Sequence, residues 1–173
     1  MYTMQQRLDT PIYSKVDLNA SGKVRFFNVA GPSPIASIDA SNQIDKDASF
    51  ITHLIQLNAF TTNKAPWTTA DVALLANMIA STFVLFQKNG QEKVWQCSTT
   101  SILSFPMALP AANAAVFDLT PSVTGQKKLN EPIIIPGGQS LNVNLQWDGA
   151  TDFTGLSLEM VLWGILDRTK AKL

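Results

Sequence analysis

The stretch from Glu131 to Gly149, EPIIIPGGQSLNVNLQWDG, decides the fold class. A short apolar run at Pro132–Ile135 predicts a buried strand, and the Gly137-Gly138 that follows favours a sharp reversal of the chain. The seven residues from Leu141 to Trp147 alternate strictly between apolar and amide side chains, which is the pattern of a strand with one face against a core. The core-facing set is Leu141, Val143, Leu145 and Trp147, and the set facing water or a neighbour is Asn142, Asn144 and Gln146. A one-residue slip would bury three amides, so the pattern also predicts a fixed register.

Strand patterns recur along the rest of the chain. KVRFFNV predicts a strand at Val24–Val29, and SFITHLIQL predicts a second at Phe50–Leu57, apolar on both faces as in a strand covered on both sides. TFVLFQ and EKVWQC flank KNGQ, where Asn89-Gly90 suits a type I′ hairpin turn. One more short strand is expected around Ala114–Leu119, between prolines.

One helix is expected, in WTTADVALLANMIAS. Thr68 or Thr69 can cap it, and Asp71 suits the positive end of its dipole. Four apolar residues fall on one face: Val72, Leu75, Met78 and Ile79. A strand followed by a loop is the other interpretation of the same stretch.

About eight strands, with one or two short helices in the connections, indicate an all-β protein. Long early connections favour a single jelly roll, a two-sheet antiparallel sandwich, over a simple meander. At 173 residues the chain is expected to form one domain, residues 1–173. Residues 1–20 show little periodicity and are expected to be an N-terminal arm or an irregular lead-in.

The charge balance argues against a protein that gathers nucleic acid. Thirteen Lys and Arg residues oppose thirteen Asp and Glu residues, so the net charge is zero, and charged residues make up only 15% of the chain. A net charge near zero favours association between copies. The single cysteine, Cys97, is compatible with synthesis in a reducing cytoplasm. The sequence shows neither a signal-peptide layout nor an uninterrupted apolar span.

Few residues could carry chemistry, and no catalytic, metal or cofactor site is expected. His53 is the only histidine and lies in a predicted strand, whereas jelly-roll metalloenzymes of the cupin kind need several histidines. PGGQS lacks the lysine and the context of a phosphate-binding loop. Four acids fall in predicted loops, where a solvated side chain is the simpler interpretation: Asp39, Asp45, Asp47 and Asp118. An enzyme is therefore not expected.

The predicted closing strand, Leu156–Leu166, has a core-facing set of four: Leu156, Leu158, Met160 and Leu162. Its other face begins polar and becomes apolar at Val161, Trp163 and Ile165. That face must be covered by the chain's own helix or arm, or by another subunit, in which case Trp163 is the candidate anchor. Two interpretations of the four tryptophans stay open. They could fill the core or an interface, or exposed rings could stack on sugars.

KVRFFNV, IIIPGGQSLNVNLQW and the closing LEMVLWGIL together resemble the single jelly-roll major capsid proteins of tailless icosahedral viruses with an internal membrane. In particular, they resemble the smaller such protein of Thermus bacteriophages. The resemblance implies a coat protein of the virion shell that forms homodimers and packs with a second, larger coat protein. Arg168, Lys170 and Lys172 could then contact the viral membrane weakly. A carbohydrate-binding sandwich, for host recognition or as a spike base, is the alternative.

Overall fold

The computed structural model describes residues 4–28, 44, 48–62, 67–88, 92–103 and 123–170. These residues contain eight β-strands, one α-helix and a short 3-10 turn at Thr99–Ser101. The elements run β1 (Met4–Asp17), β2 (Lys23–Phe26), β3 (Ala48–Thr61), α1 (Thr69–Ser81), β4 (Phe83–Lys88), β5 (Glu92–Ser98), β6 (Val123–Ile135), β7 (Leu141–Gln146) and β8 (Leu156–Lys170).

The strands form two antiparallel four-stranded sheets, in the orders β1-β8-β3-β6 and β2-β7-β4-β5. The pairing is nested: β1 pairs with β8, β2 with β7, β3 with β6 and β4 with β5. A chain folded back on itself in this way and wrapped into two layers is a jelly roll. The predicted fold class, an all-β single jelly roll, is confirmed.

The core lies between the two sheets. β7 contributes Val143 and Leu145, both with no exposed surface, and β8 contributes Leu156, Leu158, Met160 and Leu162, also fully buried. Leu141 and Trp147 are buried as well. The core-facing residues predicted for both strands are buried, because each strand turns one face to the opposite sheet.

Helix α1 connects the two sheets and begins as the sequence predicts. Thr68 is the N-cap: its side chain accepts from the Asp71 N–H at 3.2 Å, and the Asp71 carboxylate accepts from the Thr68 N–H at 2.9 Å. This reciprocal capping box satisfies two N–H groups that a helix end would leave unpaired. All four residues of the predicted apolar face are buried. The predicted helix is confirmed, and the other interpretation, a strand followed by a loop, is wrong.

Within residues 1–20, which were expected to be an N-terminal arm or an irregular lead-in, Met4–Asp17 forms β1 at the edge of the first sheet. β6 is also longer than the predicted Pro132–Ile135 and begins at Val123. Pro11 and Pro132 fit within strands here because both strands are sheet edges, where one side of the backbone lacks a partner. Ile134 is 58% exposed because it points outward between the buried Ile133 and Ile135, so the predicted strand is not buried throughout.

The amides of β7 were expected to face water or a neighbour. Asn142 and Asn144 point away from the core but are 5% and 2% exposed, so they do not face water. β3 was predicted to be covered on both faces, yet its outer side chains Ile51 and Leu54 are only half-buried. Gly137-Gly138 forms a turn, as predicted, which carries the chain from the first sheet to the second. The predicted Asn89-Gly90 turn, the strand around Ala114–Leu119 and Val29 lie outside the described residues.

Candidate assembly surface

The outer face of the first sheet carries the side chains that the closing strand was predicted to expose. Val161, Trp163 and Ile165 point outward from β8, which lies between β1 and β3. Each of these three residues lies beside one residue of β1 and one residue of β3. The nine side chains therefore form three adjacent rows across the sheet. We call this set the Trp163 patch: Asp9, Pro11, Tyr13, Ile51, Leu54, Gln56, Val161, Trp163 and Ile165. Asp9 is its only charged member, so the patch is mainly apolar and aromatic.

Trp163, at the centre of the patch, is 37% exposed, although its polar atom is already paired. The indole Nε1–H donates to Gln56 Oε1 at 3.0 Å, and Gln126 Nε2 donates to the same oxygen at 3.2 Å. Gln56 Nε2 then donates to Asn58 Oδ1, and Asn58 Nδ2 donates to Glu159 Oε2 at 2.7 Å. The ring could therefore be covered by a partner without leaving an unpaired N–H group.

The backbone beneath Trp163 is fixed by a bulge in β3. The pairing of β3 with its neighbours shifts between Thr52 and Leu54, which leaves His53 as the extra residue. Thr52 Oγ1 donates to the Trp163 carbonyl at 3.0 Å, so the bulged strand holds the closing strand at this point. A bulge bends and twists its strand locally.

The structure brings together the three predicted interface residues, with different exposure. Val161 is 8% exposed, Ile165 is half-buried and Trp163 is exposed. Pro11 and Leu54, which flank Trp163 in register, were missed by the sequence analysis. Local alternation can identify one strand's outward face, but strand pairing decides which residues lie beside it.

The basic tail is only partly described. Arg168 lies in β8, is half-buried, and its Nε is buried without a hydrogen-bond partner, so this side chain is not freely solvated. Lys170 ends β8, and Lys172 lies outside the described residues.

The candidate reactive residues are dispersed. His53 is a strand residue, as predicted, and is exposed at the β3 bulge. Cys97, half-buried on β5, has its thiol pKa raised to about 11 by burial, an effect that nearby Lys127 partly offsets. Within the described residues, no group of three His, Cys, Asp or Glu side chains is placed to hold a metal ion. The four loop acids named above lie outside these residues.

The tryptophans do not form an exposed row. Trp67 and Trp147 are buried, and Trp147 packs edge-on to Phe153 with ring centroids 5.4 Å apart. Trp95 is partly buried and meets Phe86 edge-on at 5.5 Å. Trp163 alone of the four is more than a third exposed. Three of the rings therefore serve as core packing.

No helix in the described part of the chain has both the length and the hydropathy to cross a membrane. The sequence matches no protein-family model and no curated protein. Similar solved structures include the capsid of Helicobacter pylori bacteriophage KHP30, with 10% identity, 95% of this chain and 93% of that chain covered, and a TM-score of 0.36. Another is Desmodium yellow mottle tymovirus, with 13% identity, coverage of 100% and 92%, and a TM-score of 0.35.

A third similar structure is a cleaved adhesin domain of Lys-gingipain from Porphyromonas gingivalis, with 10% identity, coverage of 99% and 100%, and a TM-score of 0.31. Viral capsid proteins are thus among the structural neighbours of this chain. At identities and TM-scores this low, the similarities assign no function.

Proposed function

We propose that this protein is a structural coat subunit of a virus, which works by association with copies of itself. Eight-stranded jelly rolls occur in viral capsid proteins, lectins and cupins. One histidine in 173 residues cannot supply the metal site of a cupin. The absence of an exposed tryptophan row removes the feature on which the lectin alternative was based. A coat subunit is the class that remains.

The observation that carries the proposal is the Trp163 patch. An exposed indole whose N–H is already bonded to Gln56 can be buried in an interface without a polar penalty. Tryptophan is among the residue types enriched at interface hot spots, where the surrounding contacts exclude water. The first sheet has four strands of about 13 residues, so its outer face measures roughly 20 by 45 Å. That area is comparable to the 800 Å² or so that each partner buries in a standard interface.

A two-fold interface would place the Trp163 patches of two copies against each other. Both partners of such an interface use the same surface, so one patch is sufficient. We further propose that the homodimer packs with a second, larger coat protein in the virion shell, as in the Thermus bacteriophage arrangement. The end of β8, with Arg168 and Lys170, would lie toward the internal membrane. β1, an edge strand, is the segment that copies could exchange.

Replacing Trp163 with alanine tests the interface. The variant Trp163→Ala should keep its fold, because the ring is more than a third exposed, but it should weaken self-association about 100-fold, the loss typical of an anchor residue. Val94→Ala, at a residue 43% exposed on the second sheet, is the matched control and should leave association unchanged. Sedimentation velocity gives the association constants, and circular dichroism checks the fold. Equal association constants for wild type and Trp163→Ala would contradict the proposed interface.

A further inference from the structure

The apolar outer surface of the first sheet extends beyond the Trp163 patch onto β6. Ile134 lies beside Ile51 in the register of β3 and β6, so the two side chains share a face, and Ile134 is 58% exposed there. Lys128 lies beside Leu54 in the same register and is also exposed on this face. The surface therefore spans all four strands in the order β1-β8-β3-β6, and its middle lies between β8 and β3.

Two exposed side chains of opposite charge lie at the two edges of this surface. Asp9 of β1 lies beside Ile165, and Lys128 lies on β6, at the opposite edge of the sheet. Three strand spacings of about 4.8 Å separate β1 from β6, so the two backbones are roughly 14 Å apart. An ion pair needs N and O atoms within about 4 Å, so Asp9 and Lys128 of one chain do not pair with each other.

The positions of these two charges distinguish two ways of packing this face on a copy of itself. Sheets packed face to face usually keep their strands within about 30° of each other, so a two-fold axis between them runs either across the strands or along them. An axis across the strands sets each strand on its own copy, and through the Trp163 row it would set Lys128 on Lys128 of the second copy. An axis along the strands, between β8 and β3, sets β1 on β6 and brings Asp9 close to Lys128 of the second copy. Like charges in contact oppose association, whereas opposite charges favour it.

We propose that two copies of this chain pack through this surface about a two-fold axis that runs along the strands, between β8 and β3. β8 of each copy then lies on β3 of the other, so Trp163 packs on Leu54 of the second copy. β1 of each copy covers Ile134 of the other. Asp9 and Lys128 form two symmetry-related ion pairs at the rim of the interface. This inference rests on the proposed self-association through the Trp163 patch and adds which residues meet there.

Two charge-reversal variants of the full chain, alone and mixed, test the direction of the axis. Asp9→Lys sets two lysines together at each rim contact, and Lys128→Asp sets two aspartates together. Each variant alone should therefore self-associate about 30-fold more weakly than the wild type, because both symmetry-related pairs change from attraction to repulsion. In an equimolar mixture the heterodimer has opposite charges at both contacts, so its association constant should return to within about twofold of the wild-type value. Sedimentation velocity measures the constants, and circular dichroism checks each fold.

Lys127→Asp is the matched control, because it changes the net charge as Lys128→Asp does. Lys127 is exposed on β6 but lies beside the buried Ile55, so its side chain is on the other side of the sheet. Its mixture with Asp9→Lys keeps one lysine pair in contact and should stay about fivefold weaker than the wild type. Equal recovery in both mixtures, or no recovery in either, would overturn the proposed axis. A wild-type chain that stays monomeric would instead contradict the proposed self-association itself.

Discussion

Gly164 lies in β8 where the closing strand passes the bulge of β3. A Cβ at this position would be 2.2 Å from the Ile51 carbonyl oxygen and 2.9 Å from the Thr52 Cα. Both are backbone atoms, so no side chain can move aside to make room. Glycine is therefore required here by the close approach of two strands. The sequence alone gave no sign of this, since Ile51 and Gly164 are far apart along the chain.

We predict that Gly164→Ala lowers the free energy of unfolding by about 1–3 kcal/mol, the usual cost of forcing atoms into a packed interior. Urea unfolding followed by circular dichroism measures the loss. Asn130→Ala, at an exposed strand position of β6, is the control and should change stability by less than about 0.5 kcal/mol. An unchanged urea midpoint for Gly164→Ala would show that the two strands do not approach so closely.

Cys97 should react slowly in the folded protein. With its pKa at about 11, against 9.0 for an ordinary thiol, the thiolate fraction at pH 8 falls roughly 100-fold on folding. We therefore predict that iodoacetamide alkylates the native protein about 100-fold more slowly than the urea-unfolded chain, as measured by mass spectrometry. Comparable rates in the two states would mean that the thiol is not shielded.

The same shift predicts a pH dependence of stability. Because folding raises the pKa of the Cys97 thiol, its contribution is fully present below pH 9 and is lost as the pH rises from about 9 to about 11. Cys97→Ala should lose less stability over this interval than the wild type, in urea unfolding at each pH. A parallel decline in the two proteins would assign the loss to other groups.

At the scale of elements, the parts that could be predicted from the sequence are those fixed by local pattern. α1 and β7 follow from neighbouring residues, through the capping box and the strict alternation. β1 was missed because Pro11 interrupts the pattern, and because its pairing with β8 joins opposite ends of the chain. The early part of β6 was missed for a similar reason, since its partner is β3.

The capping box of α1 gives a prediction at this scale. Thr68→Ala removes the acceptor for the Asp71 N–H and should lower the free energy of unfolding by about 1 kcal/mol. Thr68→Ser keeps a hydroxyl in place and should retain most of the wild-type stability. Thermal unfolding of the three proteins provides the comparison. If the alanine and serine variants melted alike and below the wild type, the loss would not come from the cap hydroxyl.

At the scale of the whole molecule, the nested pairing leaves a sandwich with two unlike outer faces. One face carries the Trp163 patch, with its paired indole and little charge, and the other carries the buried amides Asn142 and Asn144. The sequence predicted the outward set Val161, Trp163 and Ile165 because alternation within one strand determines it. It could not predict Pro11, Leu54 or the Gln56 network, since these depend on strand pairing. The burial of Asn142 and Asn144 was missed because these amides were expected to face water or a neighbour.

Static light scattering of the pure chain across a dilution series tests the central claim most directly. If the protein works by association with its own copies, the average mass should rise above the 18.8 kDa of one chain as concentration increases, and should fall back on dilution. A mass that stays at 18.8 kDa up to hundreds of micromolar would contradict the account.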